Sequence, residues 1–233
     1  VLLSNSSGAY GITISEHMIC VLLMMMRRMP EYQALIAQRG WRILGDIRSI
    51  YGSTVTVVGM GDIGSNFGRR LKAMGATVRG VRRTLREKPD WADQVYPVER
   101  LNEALAGADV VALCLPGTES TRSILGQAQF DAMDPGTYLI NVGRGTAIDQ
   151  QALDRALHSG KLAGAALDVA TPEPLPRDHF LWDTPNLLLT PHVSGNMSLP
   201  RTCELVIEIF LRNLAHWEKG EPLEHQVDRT QGY

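Results

Sequence analysis

Three short segments of the sequence carry side chains that together could reduce a ketone. Arg144 lies between two glycines, Glu173 lies between two prolines, and His192 follows a proline. An arginine can orient and polarise an α-keto acid, a histidine can deliver a proton, and a carboxylate can hold that histidine and stabilise its protonated form. These residue types fit a reversible conversion of a ketone to an alcohol.

Each of the three residues also has an ordinary interpretation. Arg144 could form a surface ion pair, Glu173 could be a loop acid, and His192 could be a satisfied core residue. All three nevertheless follow apolar runs that are typical of buried strands. The carboxyl ends of parallel strands are where α/β sheets bind their ligands. This shared position favours a functional site.

A glycine-rich segment lies upstream of these residues and has the pattern G-x-G-x-x-G. An apolar β-branched run at 54–58 leads into it, and a helical pattern at 65–74 follows. In a dinucleotide site the first glycine allows a tight turn, the second admits the pyrophosphate, and the third lets helix and strand pack closely. The phosphates would rest on the N–H groups at the helix N-terminus. The residues expected to contact the cofactor here are Gly59, Gly61, Asp62, Ile63 and Gly64.

The end of the next predicted strand, at 76–81, indicates which dinucleotide is bound. An NAD site usually has a carboxylate there for the ribose 2′-hydroxyl, whereas this chain has Arg82 followed by Arg83. Guanidinium groups suit a 2′-phosphate because they supply charge and a bidentate fork. The sequence therefore favours NADP over NAD, with a solvated basic turn as the alternative.

Strands and helices alternate along most of the chain. Strands are predicted at 54–58, 76–81, 109–115, 138–142, 162–167 and 186–190, and helices at 15–29, 65–74, 99–106, 127–133, 150–159 and 199–218. Ser15 is the predicted N-cap of the first helix. This alternation predicts an α/β fold, a Rossmann-type doubly wound parallel sheet with helices on both faces, plus a C-terminal helix and tail.

Composition excludes several other classes of protein. A net charge of −2 gives no electrostatic reason to bind nucleic acid or an anionic membrane, and the most apolar stretch, 18–26, is too short to span a bilayer. Cys20, Cys114 and Cys203 are far apart and read as reduced core residues of a cytoplasmic protein. No metal site is expected. With 44% hydrophobic residues, the 233-residue chain can bury a full core.

Taken together, the motifs of this sequence resemble those of the D-isomer-specific 2-hydroxyacid dehydrogenases. The resemblance runs from Ser15-Glu16-His17 through the glycine loop, Leu115-Pro116-Gly117-Thr118, Asn141–Gly145 and Asp168–Pro174 to Thr190–Gly195. It implies that Arg144 binds the substrate carboxylate and carbonyl, and that Glu173 pairs with the catalytic His192. It also implies that Asp168 contacts the nicotinamide carboxamide. The further cofactor contacts that it implies are Leu115, Pro116, Thr118, Thr121, Val142, Gly143, His192 and Ser194.

The chain departs from the family pattern at two positions. Arg82 stands where the family usually has an acid, which agrees with the NADP interpretation. Gly117 stands where the residue is often larger, which leaves the packing of that loop open.

The resemblance also implies a domain organisation. Family members begin with a substrate domain of about 100 residues, so we expect 1–14 to be its remnant, 15–195 the dinucleotide domain, and 196–233 a helix and tail that return to it. The chain alone would then be weakly active or inactive.

Family members usually form two-fold dimers through the first helix, and we expect a homodimer here. That helix, at 16–29, is apolar on most sides, and the segment 32–42 with Trp41 would reach across to the partner. Two alternatives remain open: the substrate domain could cover the helix, and Trp41 could fold back onto its own domain.

The predicted reaction transfers hydride from nicotinamide C4 to C2 of a small 2-keto acid and gives the D-2-hydroxy acid. The alternative is a non-catalytic dinucleotide-binding sensor or co-repressor-like module. The presence of Arg144, Glu173 and His192 together favours the enzyme, because a sensor needs no proton relay.

Overall fold

Parallel β-strands form the central sheet of the computed structural model, which describes residues 1–84 and 86–228. The strands are β1 (Thr54–Val58), β2 (Thr77–Arg82), β3 (Gln94–Pro97), β4 (Val110–Leu113), β5 (Thr137–Asn141), β6 (Leu162–Leu167) and β7 (Leu187–Leu189). They lie in the order β3-β2-β1-β4-β5-β6-β7. The chain changes direction across the sheet between β1 and β4, where doubly wound sheets bind their ligands.

Helices cover both faces of this sheet. They are α1 (Gly11–Met26), α2 (Met29–Ala37), α3 (Asp62–Ala73), α4 (Leu101–Leu105), α5 (Gln127–Ala132), α6 (Gln150–His158) and α7 (Pro200–Lys219). One apolar cluster joins the sheet to α1 and α3, and a second joins its other face to α4, α5 and α6. Strand β4 contributes side chains to both clusters, because successive side chains of a strand point to opposite faces of the sheet. The predicted doubly wound fold is confirmed.

The first helix begins earlier than its sequence pattern suggests. It starts at Gly11, so the prediction that Ser15 caps it is wrong; the Ser15 hydroxyl lies within the helix and donates to the carbonyl of Ile12 at 3.0 Å. Its N-terminus is capped instead by Asp62, whose Oδ2 accepts from the N–H of Gly11 at 2.9 Å and of Gly8 at 3.1 Å. A cap that comes from so far along the chain leaves no local sequence signal.

The predicted end of this helix at Met29 also differs from the structure. Helix α1 ends at Met26, and α2 begins at Met29 after Arg28, which has a φ of 58°. Pro30 lies in the first turn of α2, where its missing N–H costs no hydrogen bond. The proline therefore starts a second helix after the first one has stopped.

Strand β3 was not expected from the sequence. It has four residues and ends in Pro97, and among residues 1–84 and 86–228 its one partner strand is β2, at the edge of the sheet. A proline cannot donate to a ladder and is tolerated in sheets mainly at edges. Four residues with a terminal proline give too short a pattern to recognise as a strand.

The two ends of the described chain lie together. Ser4 and Gln226 form an antiparallel bridge, and the amide of Asn213 on α7 donates to the Ser4 hydroxyl at 3.1 Å. The predicted C-terminal helix is confirmed, and Gly220, with a φ of 70°, follows it. The predicted tail extends to Tyr233, but residues 229–233 lie outside the described residues.

Candidate active site

The predicted site residues lie along one edge of the sheet. Parallel strands β1, β4, β5, β6 and β7 are neighbours, so the loops that follow them start at the same edge. Gly59, Leu115, Arg144, Asp168 and His192 come from these loops in that order. The fold therefore gathers the glycine motif and the three candidate catalytic segments at the ligand-binding edge.

The three motif glycines meet different surroundings. Gly59 has a φ of 102°, and a Cβ there would lie 2.5 Å from the carbonyl oxygen of Cys114. A Cβ on Gly64 would lie 1.9 Å from the Gly59 carbonyl oxygen, whereas a Cβ on Gly61 would have no atom within 4 Å. Gly59 thus makes a turn, Gly64 allows helix and strand to pack, and Gly61 faces open space next to the N-terminus of α3.

The first N–H groups of α3 are those of Asp62, Ile63 and Gly64, which have no carbonyl in a preceding turn. They are the donors that a pyrophosphate would use. The carboxylate of Asp62 does not share this task. It caps α1 and also accepts from Asn66 Nδ2 at 2.9 Å, so Asp62 offers its backbone rather than its side chain to a cofactor.

The loop after β4 is held by its own hydrogen bonds. The Thr121 hydroxyl donates to the Pro116 carbonyl at 2.7 Å and accepts from the Thr118 N–H at 3.0 Å. Leu115 and Pro116 are half-buried at its start. Thr121 therefore holds the loop from inside, while the Leu115 side chain lies next to the Gly59 turn.

Arg144 is exposed on a loop that Asn141 fixes. Asn141 accepts from the Gly143 N–H and donates to the Arg144 carbonyl, both at 3.0 Å. Val142 and Gly143 are buried, and a Cβ on Gly143 would lie 2.5 Å from the Leu115 carbonyl oxygen, so the loops after β4 and β5 pack closely. A Cβ on Gly117 would lie 2.9 Å from Arg144 Cγ. This close approach accounts for the glycine at that position, since a larger residue would push against the arginine stem.

His192 and Glu173 form a direct pair. The histidine Nδ1 is 2.7 Å from Glu173 Oε2, and the other carboxylate oxygen accepts from the Ala170 N–H at 2.8 Å. The side chains are 50% and 36% exposed, so the ring is open to solvent on one side. Because Nδ1 faces Glu173, Nε2 is the nitrogen placed to exchange a proton with a bound molecule.

The backbone of His192 adopts an unfavourable conformation that Asp168 holds. Its φ of 54° is uncommon for a residue other than glycine. Asp168 Oδ1 accepts from the Thr190 hydroxyl at 2.5 Å and the Val193 N–H at 3.0 Å, and Oδ2 accepts from the Ser194 hydroxyl at 2.5 Å and N–H at 3.0 Å. Asp168 thereby fixes the chain on both sides of the histidine.

The same bonds set the ionisation of Asp168. The residue is 3% exposed, and burial by itself would raise its pKa. The hydrogen bonds from Ser194, Thr190 and the loop backbone outweigh burial and hold the pKa of this carboxyl below its usual value. The contact with nicotinamide that the family resemblance implies would have to displace one of these donors, because four donors fill a carboxylate.

Arg82, the last residue of β2, and Arg83, which follows it, are only partly available to bind a 2′-phosphate. One Nη of Arg82 donates to the carbonyl of Glu87 at 2.9 Å and also to that of Arg86. Arg83 is exposed. The basic turn thus stands at the predicted place, with Arg82 folded back along it and Arg83 on the outside.

Three further observations concern the cysteines, the metal-ligating side chains and membrane-spanning helices. Cys20 is exposed, so its assignment to the core is wrong; Cys114 and Cys203 are partly buried, and all three thiols are free. No group of three or more metal-ligating side chains occurs among residues 1–84 and 86–228. Within the same residues, no helix has the length and apolar character needed to cross a membrane.

Thr190 is a site residue that sequence patterns did not single out. A threonine at a strand end is common, and only the fold reveals that its hydroxyl donates to Asp168. Its position two residues before His192 was the one available hint, since a loop at an uncommon φ needs donors and acceptors nearby.

The chain is similar in sequence to proteins of a known family. The family model for the D-isomer specific 2-hydroxyacid dehydrogenase NAD binding domain matches residues 19–194. Glyoxylate/hydroxypyruvate reductase A of Salmonella newport is 34% identical over 223 residues, which are 96% of this chain and 70% of that protein.

Solved structures give the same result. A D-isomer specific 2-hydroxyacid dehydrogenase family protein from Aeromonas salmonicida superimposes with a TM-score of 0.88 at 38% identity, over 97% of this chain and 71% of that one. The NADPH-dependent glyoxylate/hydroxypyruvate reductase of Sinorhizobium meliloti, solved with NADP and sulfate, gives 0.89 at 31% identity, over 100% and 73%.

Motif order, sheet topology and both comparisons converge on one assignment. The cofactor is a nicotinamide dinucleotide. The chain belongs to the D-isomer specific 2-hydroxyacid dehydrogenases, a family of oxidoreductases, and contains their NAD-binding domain.

Proposed function

We propose that this protein reduces a small 2-keto acid to the D-2-hydroxy acid, with NADPH as the hydride donor. The observation that carries the proposal is the 2.7 Å pair between His192 and Glu173, at the edge of the sheet that also presents Arg144 and the glycine loop. An acid–base pair and an anion-binding arginine beside a dinucleotide cleft are what carbonyl reduction requires.

The bound cofactor supplies hydride to C2 of the keto acid, and the carbonyl electron pair moves onto oxygen. His192 then donates the Nε2 proton to that oxygen, which completes the alcohol. Glu173 stabilises the imidazolium from which the proton leaves, because its carboxylate faces Nδ1 at 2.7 Å. Arg144 orients the substrate by binding its carboxylate with a guanidinium fork.

The direct test is steady-state oxidation of NADPH by the whole protein with glyoxylate, hydroxypyruvate and pyruvate. Turnover of at least one of them, with the D-product where C2 becomes a stereocentre, supports the proposal. Tight binding of NADPH without turnover of any small 2-keto acid contradicts it and favours the non-catalytic sensor.

The preference for NADPH rests on Arg82 and Arg83. The Sinorhizobium relative binds NADP, and a basic turn at this position gives a 2′-phosphate charged donors. Competitive titration should show tighter binding of NADPH than of NADH, and Arg83→Ser should reduce that difference more than Arg86→Ser. Equal affinities in the unmutated protein would mean that the turn only faces solvent.

The proposed assembly is a two-fold homodimer through α1 and α2. Helix α2 has no buried residue, and Trp41, which follows it, is 93% exposed. The outward side of α1 continues this apolar surface through Leu23 and Met24. A second copy would cover the same residues on both subunits, as an isologous contact requires.

A further inference from the structure

A chain of hydrogen bonds connects α1 with the loop that carries His192. Thr190 Oγ1 is 2.5 Å from Asp168 Oδ1 and 3.4 Å from His17 Nε2. A hydroxyl has a single proton, and an ionised carboxylate can only accept. The Thr190 proton therefore goes to Asp168, and His17 must donate to Thr190 from Nε2.

This series of hydrogen bonds ends on the backbone of the loop that carries His192. Asp168 accepts from Thr190 and Val193 with one oxygen and from Ser194 with the other. These residues flank His192, which also donates its own N–H to the Asp168 carbonyl at 2.9 Å. The carboxylate and its donors thus determine where the histidine ring lies.

Helix α1, which carries His17, is anchored in the core and contacts the His192 loop at two further places. Met18 and Leu22, which belong to the same helix as His17, are fully buried in the cluster beneath the sheet. Two further contacts join the helix to the loop: the Thr13 hydroxyl donates to the Ser194 carbonyl at 3.3 Å, and a Cβ on Gly195 would lie 2.9 Å from Ile14 Cδ1. His17 is the residue of α1 whose side chain contacts Thr190, a direct donor to the Asp168 carboxylate.

We propose that His17 is a positioning residue for His192: by donating to Thr190 it orients the hydroxyl that Asp168 accepts, and Asp168 in turn holds the loop. The catalytic consequence rests on the proposed function. The structural consequence, a displaced His192 ring when the His17 donor is lost, does not depend on turnover.

Four variants separate this role from general stability. His17→Met removes the donor but keeps an unbranched side chain that suits a helix, and His17→Gln retains an N–H donor of similar reach. Thr190→Val removes the hydroxyl that links His17 to Asp168. His158→Met is the matched control, because His158 is an exposed histidine on α6.

The first measurement is NMR of the histidine rings in the chain labelled with ¹⁵N. His17 should carry its proton on Nε2. The His192 ring signals should move in His17→Met and Thr190→Val, should return toward their original positions in His17→Gln, and should not move in His158→Met. A His17 proton on Nδ1 alone, or unmoved His192 signals in His17→Met, would overturn the proposal.

The second measurement is a double-mutant cycle on kcat in the whole protein. His17→Met should lower kcat about three- to tenfold, which is the effect of one net hydrogen bond, while KM and NADPH affinity change by less than about twofold. The same change in the Thr190→Val background should cost little more. A full additional loss there would contradict transmission through Thr190. Absence of turnover in the unmutated protein would contradict the proposed function, and the NMR result would still decide the role of His17.

Discussion

Two carboxylates follow β6, and their surroundings give them different tasks. Glu173 is partly exposed and contacts the ring of His192, whereas Asp168 is buried and contacts the backbone around it. The sequence located both acids and their histidine, because their residue types and positions after strands are visible in it. It could not assign the partners of Asp168, because these depend on a loop conformation with a positive φ at His192.

Glu173→Gln should lower kcat while leaving NADPH affinity unchanged. The amide keeps the shape of the carboxylate but loses the charge that stabilises the imidazolium. A hydrogen bond to a charged group is worth about 1.5–3 kcal/mol, so the expected loss is about 10- to 100-fold in kcat. Stopped-flow or steady-state assays with the best keto acid measure it. A kcat equal to that of the unmutated protein would show that Glu173 does not act on the histidine.

Asp168 should make the stability of the fold depend on acid pH. Its pKa in the folded protein lies below the ordinary value of 3.8, so the unfolded state binds more protons as the pH falls through this range. The contribution of Asp168 is fully present above about pH 4 and is lost as the pH falls toward its folded pKa. Urea unfolding between pH 5 and pH 2.5 should show a steeper loss in the unmutated chain than in Asp168→Asn. Parallel curves would contradict this assignment.

At the scale of elements, the strand–glycine loop–helix unit was predictable and some boundaries were not. The run at 54–58 and the glycine spacing are local patterns, and both occur as predicted. The start of α1 depends on Asp62, which lies on another helix, and β3 is a short edge strand. Tertiary contacts of this kind override local sequence signals.

Replacing two glycines of the glycine loop by alanine, one at a time, should distinguish an effect on cofactor binding from an effect on stability. A Cβ at Gly61 meets open space, so Gly61→Ala should leave the melting temperature of the cofactor-free chain unchanged and weaken NADPH binding by blocking the pyrophosphate. A Cβ at Gly64 meets the Gly59 carbonyl, so Gly64→Ala should destabilise the fold by about 1–3 kcal/mol. Thermal unfolding and fluorescence titration measure the two effects.

The Gly61→Ala result also tests the predicted position of the cofactor. Unchanged NADPH affinity in Gly61→Ala would mean that the pyrophosphate does not approach this glycine. Gly126→Ala is the matched control outside the loop, since a Cβ there would lie 3.8 Å from its nearest atom, in ordinary contact.

At the scale of the whole molecule, the exposed apolar surface on α1 and α2 is the feature that is hardest to predict from the sequence. The sequence showed an apolar helix but not which side chains face inward. Met25 is 8% exposed and belongs to the core, so a charge there would unfold the chain rather than split a dimer. Met24 faces outward beside Leu23 and Tyr32 and is the better probe.

The chain should therefore have twice its 25.6 kDa monomer mass in light scattering at micromolar concentration. Met24→Glu should produce the monomer, because it would place an unpaired charge in the contact. Trp41→Ala should weaken the dimer, since a large exposed aromatic is a typical anchor. Met74→Glu, a partly exposed methionine next to α3, is the matched control. A monomeric unmutated chain would contradict the proposed assembly.

His192→Asn tests most directly whether His192 donates the proton in keto acid reduction. Asparagine tolerates the φ of 54° at this position, so the loop conformation should survive. The measurement is kcat for NADPH oxidation with the best 2-keto acid, together with NADPH affinity. Loss of a general acid should lower kcat by about 10²–10⁴-fold, a much larger effect than any change in NADPH affinity. A kcat close to that of the unmutated protein would show that His192 is not the proton donor.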